Sequence, residues 1–184
     1  LNIDHFDLWF KPRRANIPIY LSAVFDKMTA LTGEIADGII LTRSTLETAG
    51  AIKAPLAQGA ARAQRDSSAV DITSLIPTTV ADTRAEALDR MRPGLAFYAG
   101  FFPRYNRLAA GHGFSEEAEA IASAWAKDDR EGAVACVSDA MVDAMSIAGT
   151  AEQCRARIDA YRTSGISLPI LSPFARGSNA KEQF

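Results

Sequence analysis

Apolar and polar residues alternate through residues 1–16, LNIDHFDLWFKPRRAN, where Ile3, Phe6, Leu8 and Phe10 stand between polar neighbours; the spacing predicts an extended arm ending near Pro12. Residues 17–24, IPIYLSAV, form a short apolar run whose length and Pro18 favour strand over helix. Similar runs at 39–41, at 70–81 and at 168–174 (LPILSPF) predict three more strands. Between them the apolar period lengthens to that of a helix: Met28, Leu31 and Ile35 in 26–36, then Leu46, Ala49, Ile52, Leu56, Ala60 and Ala63. Ser44 with Glu47 reads as a capping box for the second of these helices, and Pro55 predicts a kink in it. Asp82 is placed to cap a helix carrying Ala85, Leu88 and Met91. Residues 92–114, rich in aromatics and punctuated by Gly and Pro, predict an insertion of short helical pieces. Ser115 opens a helix through Ile121 and Trp125 that the KDDREG segment ends. A further helix is expected over 138–148, stopped by Gly149. The helix after it has a Thr150/Gln153 capping box, a stripe of Ala151, Cys154, Ile158 and Tyr161, and Gly165 at its end. The expected divisions are an arm over 1–16, a body over 17–176 and a polar, frayed tail over 177–184.

Strands that are apolar throughout, separated by helices, indicate a parallel sheet covered on its faces, so the fold class is α/β. Four strands make either a small open sheet or half of a (β/α)8 barrel. A whole barrel takes roughly 250 residues and at least about 200, more than the 184 of this chain. In both architectures ligands bind at the carboxyl ends of the strands. That end should gather Ser22, Ala23, Thr42, Arg43, Thr78, Thr79 and Ser172.

Composition narrows the picture. With 48% hydrophobic and 23% charged residues the chain matches ordinary globular proteins. Twenty Lys and Arg against 22 Asp and Glu leave no basic excess for a phosphate backbone, so nucleic acid is not expected as a partner. No apolar stretch is long enough to span a bilayer, and no signal segment follows Leu1, which predicts a cytoplasmic, membrane-free protein whose start reads as a cut or processing point. Cys136 and Cys154 lack neighbouring Cys or His at ligand spacing, so both are expected to be reduced, small and buried, with no metal. GxGxxG, GxxxxGK[ST], GxSxG and HExxH are all absent. Neither His5 nor His112 has a Ser or Cys nucleophile pattern beside it.

Three stretches taken together, IPIYLSAVFDKMTALTGEIADGIIL, RPGLAFYAG and MVDAMSIAGTAEQCRARIDAYRTSGISLPIL, resemble the carboxyl-terminal half of luciferase-like monooxygenases. The likeness is to the branch that includes F420-dependent methylenetetrahydromethanopterin reductases, and it covers most of residues 10–174. It implies that the strands are the fifth to eighth of a (β/α)8 TIM barrel, and that reduced FMN or coenzyme F420 would carry hydride transfer or oxygen activation on a small-molecule substrate. In the family, the loop after the fifth strand helps hold the cofactor and reads like Ala-Ala-x-Gly-Pro-Lys. Here the corresponding residues are Ser22, Ala23, Val24, Phe25, Asp26 and Lys27. Lys27 is kept, while Phe25 and Asp26 replace the Gly and Pro. Gly permits close backbone approach that Phe denies, and Asp26 adds negative charge beside an anionic cofactor tail. The resemblance therefore implies cofactor contacts at Ser22, Ala23, Val24, Phe25, Lys27, Thr42 and Arg43, the last placed to meet phosphate.

Two functions follow from this reading. One is part of a luciferase-like oxidoreductase that is inactive without an amino-terminal half. The other is a non-catalytic half-barrel, because a half-barrel leaves the strands at 17–24 and 168–172 with open edges that favour a homodimer or a complementing half-barrel. The aromatic run Phe97, Tyr98, Phe101, Phe102 and Tyr105 is expected at a subunit interface.

Overall fold

The structure, a computed structural model, describes residues 9–11, 13, 14 and 16–173. The expected arm lies for the most part, and the expected tail wholly, outside the described residues, as does His5.

All strand pairings are parallel. Strands β1 (Tyr20–Ser22), β2 (Gly38–Thr42) and β3 (Asp71–Val80) pair in chain order, and β5 (Leu168–Pro173) pairs β3. Helix α1 (Asp26–Ile35) links β1 to β2, helices α2 (Thr48–Ala51) and α3 (Lys53–Arg62) link β2 to β3, and α9 (Ala151–Ser164) leads into β5. These are the βα units of a barrel half, with one addition. Between β3 and α9 the chain inserts α4 (Arg84–Phe101), α5 (Pro103–Gly111), α6 (Ser115–Ala126), α7 (Arg130–Ala135), α8 (Asp139–Met145) and the short strand β4 (Ile147–Gly149).

The two faces of the sheet differ. Ile39, Leu41 and Ile76 point toward the helices, where Ile76 and Ile147 join Ala49, Cys154, Tyr161 and Ile166 in one buried cluster. The next residues along, Ile40, Thr42, Leu75 and Ile170, lie on the opposite face by strand alternation, and none of them is buried. The expectation of a sheet covered on both faces is thus met on one. A second core lies inside the insertion, where Met91, Leu95 and Ala99 of α4 pack against Ile121, Val137, Met141 and Met145.

Several local expectations are corrected. Strand β1 is only Tyr20–Ser22, not 17–24, because its sole partner among the described residues is Gly38–Ile40 and Pro18 has no N–H to donate. The Ser44/Glu47 capping box does not form. Ser44 is turned inward, and the helical turn begins at Thr48, whose hydroxyl accepts from the Thr45 N–H at 2.8 Å. The break in this region falls at Ile52; Pro55 sits in the first turn of α3, where a missing N–H costs nothing. Thr83, not Asp82, caps α4.

Helix α4 runs unbroken through Pro93, contrary to the expected punctuation. A proline inside a helix costs about 3 kcal/mol, which the burial of Met91, Leu95, Ala96 and Ala99 on the insertion core offsets. The helix expected over 138–148 ends at Met145, and Ile147–Gly149 instead pair with Thr78–Val80 as β4, because β3 extends past β2 and its free backbone groups need partners. Helix α7, capped by Asp129, was not expected. The Thr150/Gln153 capping box and the left-handed Gly165 (φ 108°) are as expected. Both cysteines are free; Cys154 is buried and Cys136 only half-buried.

Candidate functional site

Parallel register brings the ends of β1 and β2 together. Ser22 lies opposite Ile40, and the Ala23 N–H donates to the Ile40 carbonyl at 3.2 Å, so the 22–27 loop leaves the sheet beside Thr42 and Arg43. Ser22, Phe25 and Lys27 are exposed, Val24 and Thr42 are half-buried, and Ala23 is buried. Thr78 and Thr79 lie farther along β3, beyond the end of β2, where they are held by β4 and β5. The Thr78 hydroxyl donates to the Ile76 carbonyl at 3.0 Å, and Ser172 pairs in register with Pro77. The expected gathering is therefore split: residues 22–27, 42 and 43 form one group, and Thr78, Thr79 and Ser172 another.

Arg43 is the unusual member. It is 6% exposed, its backbone is left-handed at φ 52°, and its Nε and Nη1 are buried with no hydrogen-bond partner. Among the described residues no carboxylate pairs with it, Glu47 included. Its guanidinium stacks instead on the Tyr98 ring, 3.8 Å from the ring centre. Burial pushes its pKa down, and the neighbouring Tyr98 and Tyr105 push it back up. An Arg remains a cation through this range. A buried, left-handed, non-glycine cation with orphaned donors is costly on every count, and such strain clusters where ligands bind.

The insertion supplies what surrounds it. Tyr98 packs edge-on against Tyr105, with ring centres 5.2 Å apart. His112, at the end of α5, is half-buried with Nε2 unpartnered. Burial lowers its pKa, while the Glu47 carboxylate and a hydrogen bond to the Arg43 backbone raise it. Glu47 is held below the usual range chiefly by a hydrogen bond with the Thr45 side chain. Arg107 of α5 lies over the Phe25 ring at 5.5 Å. Tyr98, in the aromatic run expected at an interface, also meets Arg43; Ser44 is not the expected cap, and the sequence carries no signal for Arg107. Only the aromatic density of residues 97–105 hinted that the insertion reaches the sheet.

The chemistry of this donor set fits an anion at Arg43, since the N–H groups of two unpaired guanidinium nitrogens in a buried site match phosphate or carboxylate oxygens. The Phe25 side fits less well: its exposed ring lies beneath Arg107, and Asp26 puts a carboxylate in the first turn of α1. Among the described residues no cluster of His, Cys, Asp and Glu could hold a metal, and no helix is long and apolar enough to cross a membrane.

Comparison with known proteins bears on the family and the fold. A family model described as luciferase-like monooxygenase matches residues 1–168. The 5,10-methylenetetrahydromethanopterin reductase of Methanolobus tindarius is 31% identical over 157 residues, covering 84% of this chain and 48% of its own length. The reductase of the same name from Archaeoglobus fulgidus is 31% identical over 168 residues, with 89% of this chain and 49% of its own covered. Among solved structures, the coenzyme F420-dependent tetrahydromethanopterin reductase of Methanopyrus kandleri superposes with a TM-score of 0.74 at 24% identity, covering 90% of this chain and 47% of that one. The chain thus spans about half the length of the curated relatives it matches, and its fold is that of half a barrel.

Proposed function

Because the chain belongs to the luciferase-like monooxygenase family, we propose that it is the carboxyl-terminal half of an F420-dependent oxidoreductase, and that its cofactor site lies at the ends of β1 and β2. The single observation that carries this reading is the buried Arg43 guanidinium with two unpartnered nitrogens, Nε and Nη1. In it, Arg43 binds an anionic group of the cofactor, Thr42 and Ala23 form the adjoining strand ends, and Lys27 adds a second positive charge at the rim. Ser22, Val24 and Phe25 line the remaining loop. Tyr98 and the insertion exclude water from Arg43, which strengthens each ionic contact made there. The bound deazaflavin supplies the hydride chemistry, so this half of the protein has to orient and desolvate and need not furnish an acid or base. F420 is favoured over FMN because the matched relatives named above are F420-dependent or methanopterin reductases. The substrate is a small molecule and the protein works in the cytoplasm.

On this reading the open face carrying Ile40, Leu75 and Ile170 and the outer edges of β1 and β5 are closed by four further βα units. The test is co-expression with the amino-terminal half of the Methanolobus tindarius reductase, followed by F420 titration monitored by absorbance. F420 should bind to the pair and weakly to this chain alone, with Arg43→Ala abolishing binding in the pair. Binding in the pair that survives Arg43→Ala would refute the assigned site.

A second reading is a non-catalytic half-barrel that closes its edges by homodimerisation. The stacking of Arg107 on Phe25, where the family loop has glycine, is the observation that favours it. Sedimentation decides between them: a stable homodimer that binds neither F420 nor FMN supports the second reading, and a monomer speaks against it.

A further inference from the structure

The Arg43 corner is held from a distant part of the chain. Tyr161 of α9 has no solvent exposure, and its hydroxyl lies 2.7 Å from the Ser44 carbonyl and 3.2 Å from the Ala144 carbonyl. A phenol has one proton to donate, so the shorter contact, to Ser44, is the better placed to take it. The Ser44 hydroxyl is in turn 2.8 Å from the Ser74 hydroxyl of β3, and both serines are fully buried. Behind Tyr161, Arg157 lies over the phenol ring at 5.1 Å and donates to the Asp143 carbonyl at 2.6 Å, fixing the end of α8 against the same side chain.

We infer that Tyr161 is a positioning residue for the Arg43 site, its hydroxyl fixing the Ser44 carbonyl so that the preceding left-handed residue presents its guanidinium to an anion. The inference rests on the proposed role of Arg43 and adds the residue that makes that role possible. The physical need is plain. A non-glycine residue at φ 52° relaxes toward negative φ unless its flanking peptides are tied. On the upstream side Thr42 is tied into the β ladder. On the downstream side His112 meets the Arg43 backbone, and one peptide farther on Tyr161 holds the Ser44 carbonyl while Ser74 holds the Ser44 hydroxyl. Tyr98 holds the guanidinium end by stacking but does not constrain the backbone.

The test compares wild type with Tyr161→Phe, which keeps the ring and removes the hydroxyl, using inorganic phosphate as the probe in calorimetric titration well below the unfolding temperature. Phosphate affinity should fall about tenfold, in line with the loss of one buried hydrogen bond. In an Arg43→Ala background the same substitution should change nothing further. Ile121→Val, in the insertion core away from Arg43, serves as a control that lowers stability without altering affinity. A second measurement is independent of any ligand: amide hydrogen exchange across residues 43–48 should accelerate in Tyr161→Phe and remain unchanged in Ile121→Val. Unchanged phosphate affinity in Tyr161→Phe, with affinity lost in Arg43→Ala, overturns the inference and leaves the Arg43 site standing. Unchanged exchange across 43–48 overturns it as well. Wild-type protein that binds phosphate no better than Arg43→Ala instead removes the site reading on which the inference rests.

Discussion

The Arg43 guanidinium lies over the Tyr98 ring, 3.8 Å from its centre, and this contact helps join the sheet to the helical insertion at the ligand end of the strands. The ring face is the main favourable partner of a cation that has left water and has no carboxylate beside it. A desolvated cation–π contact contributes about 2 kcal/mol. Tyr98→Leu should therefore lower the unfolding free energy by at least about that much, measured by urea denaturation. In the Arg43→Met background the same change should cost clearly less, because the cation is gone. Equal costs in both backgrounds would show that the ring acts by packing alone.

Helices α1 and α3 meet through glycine. A Cβ on Gly59 would stand 1.7 Å from the Ala30 carbonyl oxygen, and one on Gly33 would stand 2.1 Å from that of Leu56. Either substitution to Ala forces the two helices apart, and overpacking of this kind costs about 1–3 kcal/mol or more. Gly50, on the exposed side of α2 with open space around it, should respond in the opposite sense. There Gly→Ala gains up to about 1 kcal/mol of helix propensity. Thermal melts of the three single variants test the pair of signs.

The capping box at the start of α9 gives a smaller, local effect. The Thr150 side chain accepts from the Gln153 N–H, and the Gln153 side chain accepts from the Thr150 N–H at 3.0 Å. Thr150→Ala should cost about 1 kcal/mol, a fall of about 2–4 °C in the melting temperature for a chain of this size. Because α9 carries Tyr161, fraying at its first turn should leave phosphate affinity at Arg43 unchanged; the two ends of the helix are separable in this measurement.

His112 sets a pH dependence. Burial lowers its folded-state pKa below the ordinary value of about 6.5, so the unfolded chain takes up the proton first as pH falls. Its contribution to stability is fully present above about pH 6.5 and is lost as pH falls from there to its folded pKa. Glu47, held low by Thr45, loses its contribution only at lower pH, as pH falls below about 4.3. The unfolding free energy of His112→Asn, taken relative to wild type from pH 8 to pH 5, should therefore show the wild type losing ground below about pH 6.5. A flat difference across that range would refute the assignment.

The alternation of strands and helices and the parallel sheet were legible in the sequence because they rest on local signals: apolar runs too short for helices, a capping box at Thr150, a glycine at 165; that the sheet is half a barrel came from the family resemblance. Those signals act within a few residues and need no partner to be read. Where the reading failed, a distant segment had outweighed the local preference. Ser44 has the chemistry of a cap and becomes a buried link to Ser74 and Tyr161. Pro93 has the chemistry of a break and sits inside an unbroken helix because α6 and α8 bury its neighbours. Ile147 has helical spacing and becomes a strand because β3 offers it open backbone groups.

The candidate site divides in the same way. That Arg43 stands at a strand end follows from the apolar run before it, and its family resemblance points to a cofactor. That it is buried, left-handed and unpaired, with its cation on Tyr98 and the next residue, Ser44, tied to Tyr161, depends on a residue 117 positions beyond Ser44. By itself the sequence determined which end of which strand carries the charge. Only the tertiary structure decided that the charge is out of water, because desolvation is a property of everything packed around a group and not of its neighbours in the chain.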